Sequence, residues 1–325
     1  MRKLFTLLFV AVFGISALQT SAALPGGDVI TRQLDEKIKS TSDNELIRIN
    51  ITLKDRFGSQ SLVEEVRGLS KEERRAHVIS VLKDFTSLSQ RGVLAQLNTF
   101  QRSAEVTSVK TYWIANVINC MATPEAIFRL AERSDIASID HDEYRILLDE
   151  REWENAYYVE GVPGSREITW NVLKINADEV WALGFNGEGV IVSVIDTGVN
   201  YDHYDLEDHV WESLEYPNHG YDFVNNDNDP MDDHGHGTHC AGTVAGDGTA
   251  GSQTGVAPSA TNMCCKVLDS GGGGNESGVW SAVEFSVEQG AHVLSLSLGW
   301  QHSWGPNRSV WRQTFDNALA AGVIA

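Results

Sequence analysis

Cysteine is scarce in this sequence, long apolar runs are almost absent, and its second half has very little positive charge. Each shortage excludes a class of protein. Four cysteines in 325 residues, Cys120, Cys240, Cys264 and Cys265, are too few for a disulfide scaffold, and none has the CxxC spacing of a metal knuckle. Cys264 and Cys265 are adjacent, so on a strand they would point to opposite faces and not pair. The formal charge of -20 is concentrated in residues 166–325, which carry 5 basic against 22 acidic residues. Such a surface repels phosphate backbones and anionic lipid heads, which argues against nucleic-acid or membrane-surface partners. Calcium binding or plain solubility fits it better. No repeat or low-complexity tract is present, and 42% hydrophobic with 22% charged residues describes ordinary globular protein.

The longest apolar run, Leu4–Leu18, follows Arg2 and Lys3 and precedes Ser21, Ala22 and Ala23. It is shorter than the roughly 20 residues a spanning helix needs, so residues 1–23 read as a secretory signal peptide, with export and no membrane after its removal. Five further elements then suggest a small two-layer α+β domain over about 40–148, within a segment 24–148. Ile47, Ile49, Ile51 and Leu53 alternate with Arg48, Asn50 and Thr52 as in a half-buried strand. Val78, Val81, Leu82, Phe85 and Leu88 have the spacing of one helix face. A second strand is expected from about Val109 to Ile118 and another over Ile136–Ile139. Between them Thr123, Pro124 and Glu125 make an N-cap, a first-turn proline and a dipole-facing acid.

Residues 149–168 are polar, contain Gly161, Pro163 and Gly164, and read as a linker. Beyond it come the apolar runs 189–195, 263–268 and 292–298, with helix patterns over 277–289 (Val279, Val283, Val287) and 308–320 (Trp311, Phe315, Leu319). Strand, helix, strand, helix predicts an α/β domain over 169–325, a doubly wound parallel sheet.

In such a sheet reactive groups collect at the carboxyl ends of the strands. Asp196 closes the run IVSVIDTG, and His236 lies between glycines in HGHGTHCAG. A carboxylate that orients an imidazole is the base half of a nucleophilic triad. A strand-end Asp is also a common turn residue, and His234, His236 and His239 could instead hold zinc, although no fourth ligand is obvious.

VIDTGVNYDHYDL (194–206) and DDHGHGTHCAGTVAG (232–246) resemble the aspartate and histidine signatures of subtilisin-like serine proteases, in that family's chain order. The resemblance implies that Asp196 orients His236, the general base, and that His239 is structural. Cys240 follows His239 as in the proteinase K branch, where a free thiol lies near the active site. GVAPSA (255–260), KVLD (266–269), Gly271–Gly274 and LSLSLG (294–299) extend the similarity. They imply that Gly272, Gly273, Gly274, Ser297, Leu298 and Gly299 line a cleft where a polypeptide substrate adds as a strand.

Residues 113–142 resemble the inhibitor-type propeptide of the same family, which implies a ferredoxin-like prodomain that blocks the cleft until it is cut off within 149–168. No cofactor is implied for the chemistry, though family members often bind structural calcium, for which Asp227, Asp229 and Asp232 are the hard-oxygen candidates. The family's oxyanion asparagine and GTSMAxP serine are absent from residues 1–325, so these residues alone are expected to be inactive and the parallel sheet incomplete. A noncatalytic secreted inhibitor, or pseudoprotease, is the alternative.

Overall fold

The computed structural model describes residues 29–148 and 167–325. The expected signal peptide, and residues 149–166 of the expected linker, lie outside the described residues.

The first unit runs α1 (Arg32–Lys39), β1 (Ile47–Leu53), α2 (Ser59–Glu65), α3 (Lys71–Arg102), β2 (Val106–Tyr112), β3 (Val117–Ala122), α4 (Pro124–Ala131) and β4 (Ile136–His141). Its sheet order is β2-β3-β1-β4, every pair antiparallel. Ile49, Ile51, Ile118 and Ile139 on one sheet face meet Leu97 and Phe100 of α3 and Ile127 of α4. The other face is buried as well. Asn50 and Thr52, expected to face water, are 1% and 3% exposed because the second unit covers them.

Two further expectations needed correction. The strand placed over 109–118 is a hairpin, because the chain turns through 113–116, where Asn116 has a φ of 48°, and β3 returns alongside β2. The helix of Val78 and Leu82 spans 32 residues, about 48 Å at 1.5 Å per residue. Ser70 starts it with a capping box: its Oγ accepts from Glu73 N (3.2 Å), and Glu73 Oε2 accepts from Ser70 N (2.9 Å). Leu88 is 64% exposed, and the buried stripe passes through Thr86 and Gln90 to Val93 and Leu97. These polar residues are satisfied internally, Gln90 Nε2 donating to Tyr112 O and Asn116 Oδ1, so hydrophobicity alone does not reveal the stripe.

A two-residue strand β5 (Arg145–Ile146) ends the first unit, and β6 (Glu167–Ile168), α5 (Trp170–Lys174) and α6 (Ala177–Ala182) open the second. Then follow β7 (Ile191–Asp196), β8 (Gly220–Asp222), α7 (His236–Ala245), β9 (Ser252–Gln253), β10 (Thr261–Lys266), β11 (Gly273–Gly274), α8 (Glu276–Glu288), β12 (Val293–Ser295) and α9 (Arg308–Ala320). Strands β12-β7-β10-β8 form a parallel sheet with β7 inside it, and β6 pairs with β9. Val194 and Cys264 face Ala241 of α7. Ile195 and Cys265 face the opposite layer, with Val279, Val283 and Val287 of α8. Helices therefore cover both faces, and the adjacent cysteines point apart; all four thiols are free. The run at 292–298 keeps strand geometry only to Ser295. On α9 the buried residues are Val310, Trp311, Thr314, Asn317, Ala318 and Ala320, while Leu319 is 51% exposed.

The two units share one core, in which Tyr112, Trp113 and Ile114 pack with Val279, Trp280 and Val283. Polar contacts fix the register. Glu284 Oε1 accepts from the backbone N–H of Trp113 (2.5 Å) and Ile114 (2.9 Å), and Asn317 Nδ2 donates to Ile114 O (2.8 Å). Arg74 donates to the terminal carbonyls of α9, Leu319 O and Ala320 O, both at 2.7 Å, where a cation also meets the negative end of the helix dipole. Asp142, 2% exposed, accepts from Asn50 Nδ2 (3.1 Å) and Asn119 Nδ2 (3.0 Å) on one side and from Ser277 Oγ (2.5 Å) on the other. No helix among the described residues is long and apolar enough to cross a membrane.

Candidate active site

Asp196 is the last residue of β7 and is wholly buried; His236 is the first of α7 and is 9% exposed. His236 Nδ1 lies 2.7 Å from Asp196 Oδ1, which also accepts from Thr197 N at 2.7 Å. A carboxylate in that position makes Nδ1 the protonated nitrogen and leaves Nε2 as the basic one. Burial, the largest single influence, would lower the His236 pKa, but the hydrogen bonds and charges of Asp196 and Cys240 together outweigh it and hold the imidazole well above an ordinary histidine.

The approach of α7 to β7 needs glycine. A Cβ at Gly237 would overlap Gly198 O and come within 3.1 Å of Asp196 Cβ. The loop before α7 is organised by Asp232, whose Oδ1 accepts from Thr197 Oγ1 (2.8 Å), His234 N (3.0 Å) and Gly235 N (2.9 Å). Its Oδ2 accepts from Thr238 N (2.9 Å) and Thr238 Oγ1 (2.6 Å). Burial would raise this carboxyl, yet so many donors hold it below the usual range. Thr197 completes the clamp by accepting from Gly237 N at 2.9 Å.

This arrangement corrects the reading of Asp232 as a calcium ligand. A carboxylate ringed by five N–H and O–H donors has its lone pairs committed, whereas a calcium ligand must keep them for the cation. Asp227 and Asp229 are likewise used in the loop, accepting from Asp229 N (2.9 Å) and Tyr201 Oη (2.7 Å). The zinc alternative is corrected too. Among the described residues, three metal-ligating groups come within 4.8 Å of one another at Asp196, His236 and Cys240, and His234 and His239 are not part of that set.

Cys240 Sγ is 3.8 Å from His236 Nδ1 and only partly buried. Burial would raise its thiol pKa; hydrogen bonding to His236 and His239 prevails and brings it below the ordinary value. Cys240 is therefore not an inert, fully buried thiol.

Sequence reasoning missed Lys266, which is 1% exposed although charged. Its ammonium donates to Thr197 O (2.6 Å), Leu268 O (2.9 Å) and Asp233 Oδ1 (2.5 Å), tying the ends of β7 and β10 together below the His–Asp pair. A lysine closing an apolar run in MCCKVL was the available signal.

Of the six residues expected to line a cleft, four lie against one peptide strand, and that strand is residues 145–147 of the same chain. Gly273 and Gly274 of β11 pair antiparallel with Ile146 and Arg145 of β5. Leu147 N donates to Gly272 O (3.0 Å), and Leu147 O accepts from Gly299 N (3.2 Å). Gly272 has a φ of +72° and faces Leu148, where a Cβ would come within 2.9 Å of Leu148 Cδ1. Tyr144 crosses over Gly273 and donates to Asp269 Oδ2 at 2.8 Å. Ser297 and Leu298 supply no backbone bond to this strand among the described residues, Ser297 being exposed and Leu298 packed on the core.

A buried Asp–His pair at the end of a parallel strand, flanked by two edges that hold an extended peptide, coincides with a family match. Residues 187–325 match the model of the subtilase family (Peptidase_S8). Over these residues the chain is similar to the subtilase family. The relatives include the minor extracellular protease Vpr of Bacillus subtilis, 42% identical over 162 residues, which are 46% of this chain and 19% of Vpr. Bacillopeptidase F of the same organism is 30% identical over 269 residues, 78% of this chain and 19% of that protein. Subtilisin DY of Bacillus licheniformis is 36% identical over 162 residues, 49% of this chain and 54% of subtilisin DY. The chain thus spans about a fifth of the first two relatives and about half of the third. The subtilase match begins at Asn186's neighbour Gly187, just before β7, and takes in Asp196, His236, β11 and Gly299.

Proposed function

We propose that this chain belongs to a secreted serine endopeptidase precursor that hydrolyses peptide bonds through an Asp-His-Ser triad, to which residues 1–325 contribute Asp196 and His236. The observation that carries the reading is the 2.7 Å contact of His236 Nδ1 with Asp196 Oδ1 beside a peptide-binding edge. Asp196 fixes the tautomer, and His236 Nε2 takes the proton of a serine hydroxyl as its oxygen attacks the scissile carbonyl. The same nitrogen then returns that proton to the leaving amine. The serine is assigned to a segment outside residues 1–325, so no cleavage is expected from these residues alone.

Residues 29–148 act as an intramolecular inhibitor in this reading. Their β1-α3-β2-β3-α4-β4 order and antiparallel β2-β3-β1-β4 sheet support a ferredoxin-like prodomain. The pairing of Arg145 and Ile146 with the β11 glycines supports its placement in the substrate's position. The extracellular protease Vpr and the signal pattern at 1–23 support secretion.

The test is casein hydrolysis by the complete gene product recovered from culture medium. His236→Ala is expected to lower kcat by about a millionfold, the scale seen for triad histidines in subtilisins. Activity that survives His236→Ala, or an intact product with none, overturns the proposal. In the second case, tight inhibition of another subtilase by the intact protein would establish the inhibitor alternative.

A further inference from the structure

The strand lying between β11 and Gly299 also shows which side chain the neighbouring surface accepts. Arg145 pairs with Gly274, and this register fixes where its side chain leaves the strand. It enters a recess lined by Glu276, Trp300 and Trp304 from the subtilase domain and by Asp140 and Glu143 from the first unit. The guanidinium carbon sits 4.8 Å from the centroid of the Trp304 ring, within cation–π range, and the side chain is only 18% exposed.

Glu276 is the first residue of α8, where the positive end of the helix dipole favours a carboxylate, and Trp311 Nε1 donates to its Oε1 at 2.7 Å. Burial pushes the Glu276 carboxyl up to about 7; the Trp311 N–H opposes this, Asp142 and Asp140 add to it, and the charge of Arg145 draws it down. In the precursor the ion pair of Arg145 is with Glu143 of its own segment. Asp140, Asp142 and Glu143 belong to the first unit and would leave with it. The tryptophans and Glu276 would stay, a half-buried acid on an aromatic floor in a domain poor in positive charge. A cation from a substrate would then face this carboxylate in the place that Arg145 now takes.

Resting on the peptidase reading above, we propose that Glu276 and Trp304 form a subsite selecting a basic side chain, arginine foremost, at the substrate residue that pairs with Gly274. Arginine is favoured over lysine because a planar guanidinium stacks on indole while meeting a carboxylate edge-on.

The test digests a proteome-derived peptide library with the mature, complete enzyme and reads the cleaved ends by mass spectrometry. Arginine is expected to be enriched about tenfold over glutamine at one fixed position on the N-terminal side of the cut, with lysine between them. Glu276→Gln and, separately, Trp304→Ala are expected to flatten that ratio. Because the readout is a ratio within each enzyme, a general loss of rate does not imitate it. Equal use of arginine and glutamine by an enzyme that hydrolyses casein would remove the subsite and leave the peptidase reading standing. So would an arginine preference unchanged in both variants. A complete wild-type product without casein hydrolysis would remove both.

Discussion

Replacing Glu284 by alanine should loosen the contact between the two units at one identifiable place. The carboxylate is the acceptor for two backbone donors, Trp113 N and Ile114 N, in the turn joining β2 to β3. An orphaned buried N–H costs about 1–3 kcal/mol, so removing the acceptor costs about 2 kcal/mol even at the low end. That corresponds to roughly 30-fold in the opening equilibrium. Hydrogen exchange on the intact chain reads it directly: the amides of Trp113 and Ile114 should exchange about 30-fold faster in Glu284→Ala, while the β7 and β10 amides are unchanged. Glu284→Gln, which keeps an oxygen acceptor, should lose much less. Exchange at those two amides within threefold of the unmodified protein would refute the argument. So would an acceleration spread evenly over both units. Burial pushes this carboxyl up to about 8, the two N–H groups only partly opposing it. A group raised in the folded state contributes stability that is full below its ordinary value near 4.5 and is lost as pH rises through the folded value. Protection at Trp113 and Ile114 should therefore decline towards pH 8 beyond the intrinsic pH dependence of exchange.

The raised His236 pKa predicts opposite trends for stability and activity. Its stability contribution is full below the ordinary histidine value near 6.5 and lost as pH rises through the folded value, whereas in the proposed role of general base it must be neutral, so kcat/KM is expected to climb over the same interval. Because Cys240 helps to raise His236, Cys240→Ala should move the acid limb of the kcat/KM profile of the complete enzyme to lower pH; an unmoved limb would count against that contact. Lys266→Met would strip Thr197 O and Leu268 O of their buried donor and should destabilise the second unit by about 3 kcal/mol or more, read as a lower urea midpoint.

Much of the fold could be read where local chemistry and tertiary demand agree. Val279, Val283 and Val287 lie on the buried face of α8, and Thr123 caps α4 by accepting from Ala126 N at 3.3 Å. Reading failed where a second unit altered what counts as surface. Asn50 and Thr52 obey the alternation of a half-wet strand, yet both are buried, and Asn50 is satisfied by Asp142, which in turn accepts from Ser277 of the second unit. Thr86 and Gln90 broke the helix pattern for a related reason, being polar groups satisfied internally. At the site, Asp196 and His236 were legible because glycine packing leaves a short, distinctive string around them. Asp232 was misread because a carboxylate that accepts backbone N–H bonds and one that binds a cation look alike in sequence. Arg145 and Leu147 gave no signal, since backbone pairing with Gly274 and Gly272 requires little of the side chains involved.

The strand held between β11 and Gly299 is part of the same polypeptide, which makes it a tethered ligand. A group attached this way presents itself at an effective concentration on the order of millimolar, independent of how much protein is present. A free peptide at micromolar concentration would therefore be outcompeted by roughly three orders of magnitude, so neither dilution nor a competing peptide could open the edge. Severing the chain turns that local concentration into the bulk one, and from then on occupancy of the edge follows ordinary mass action.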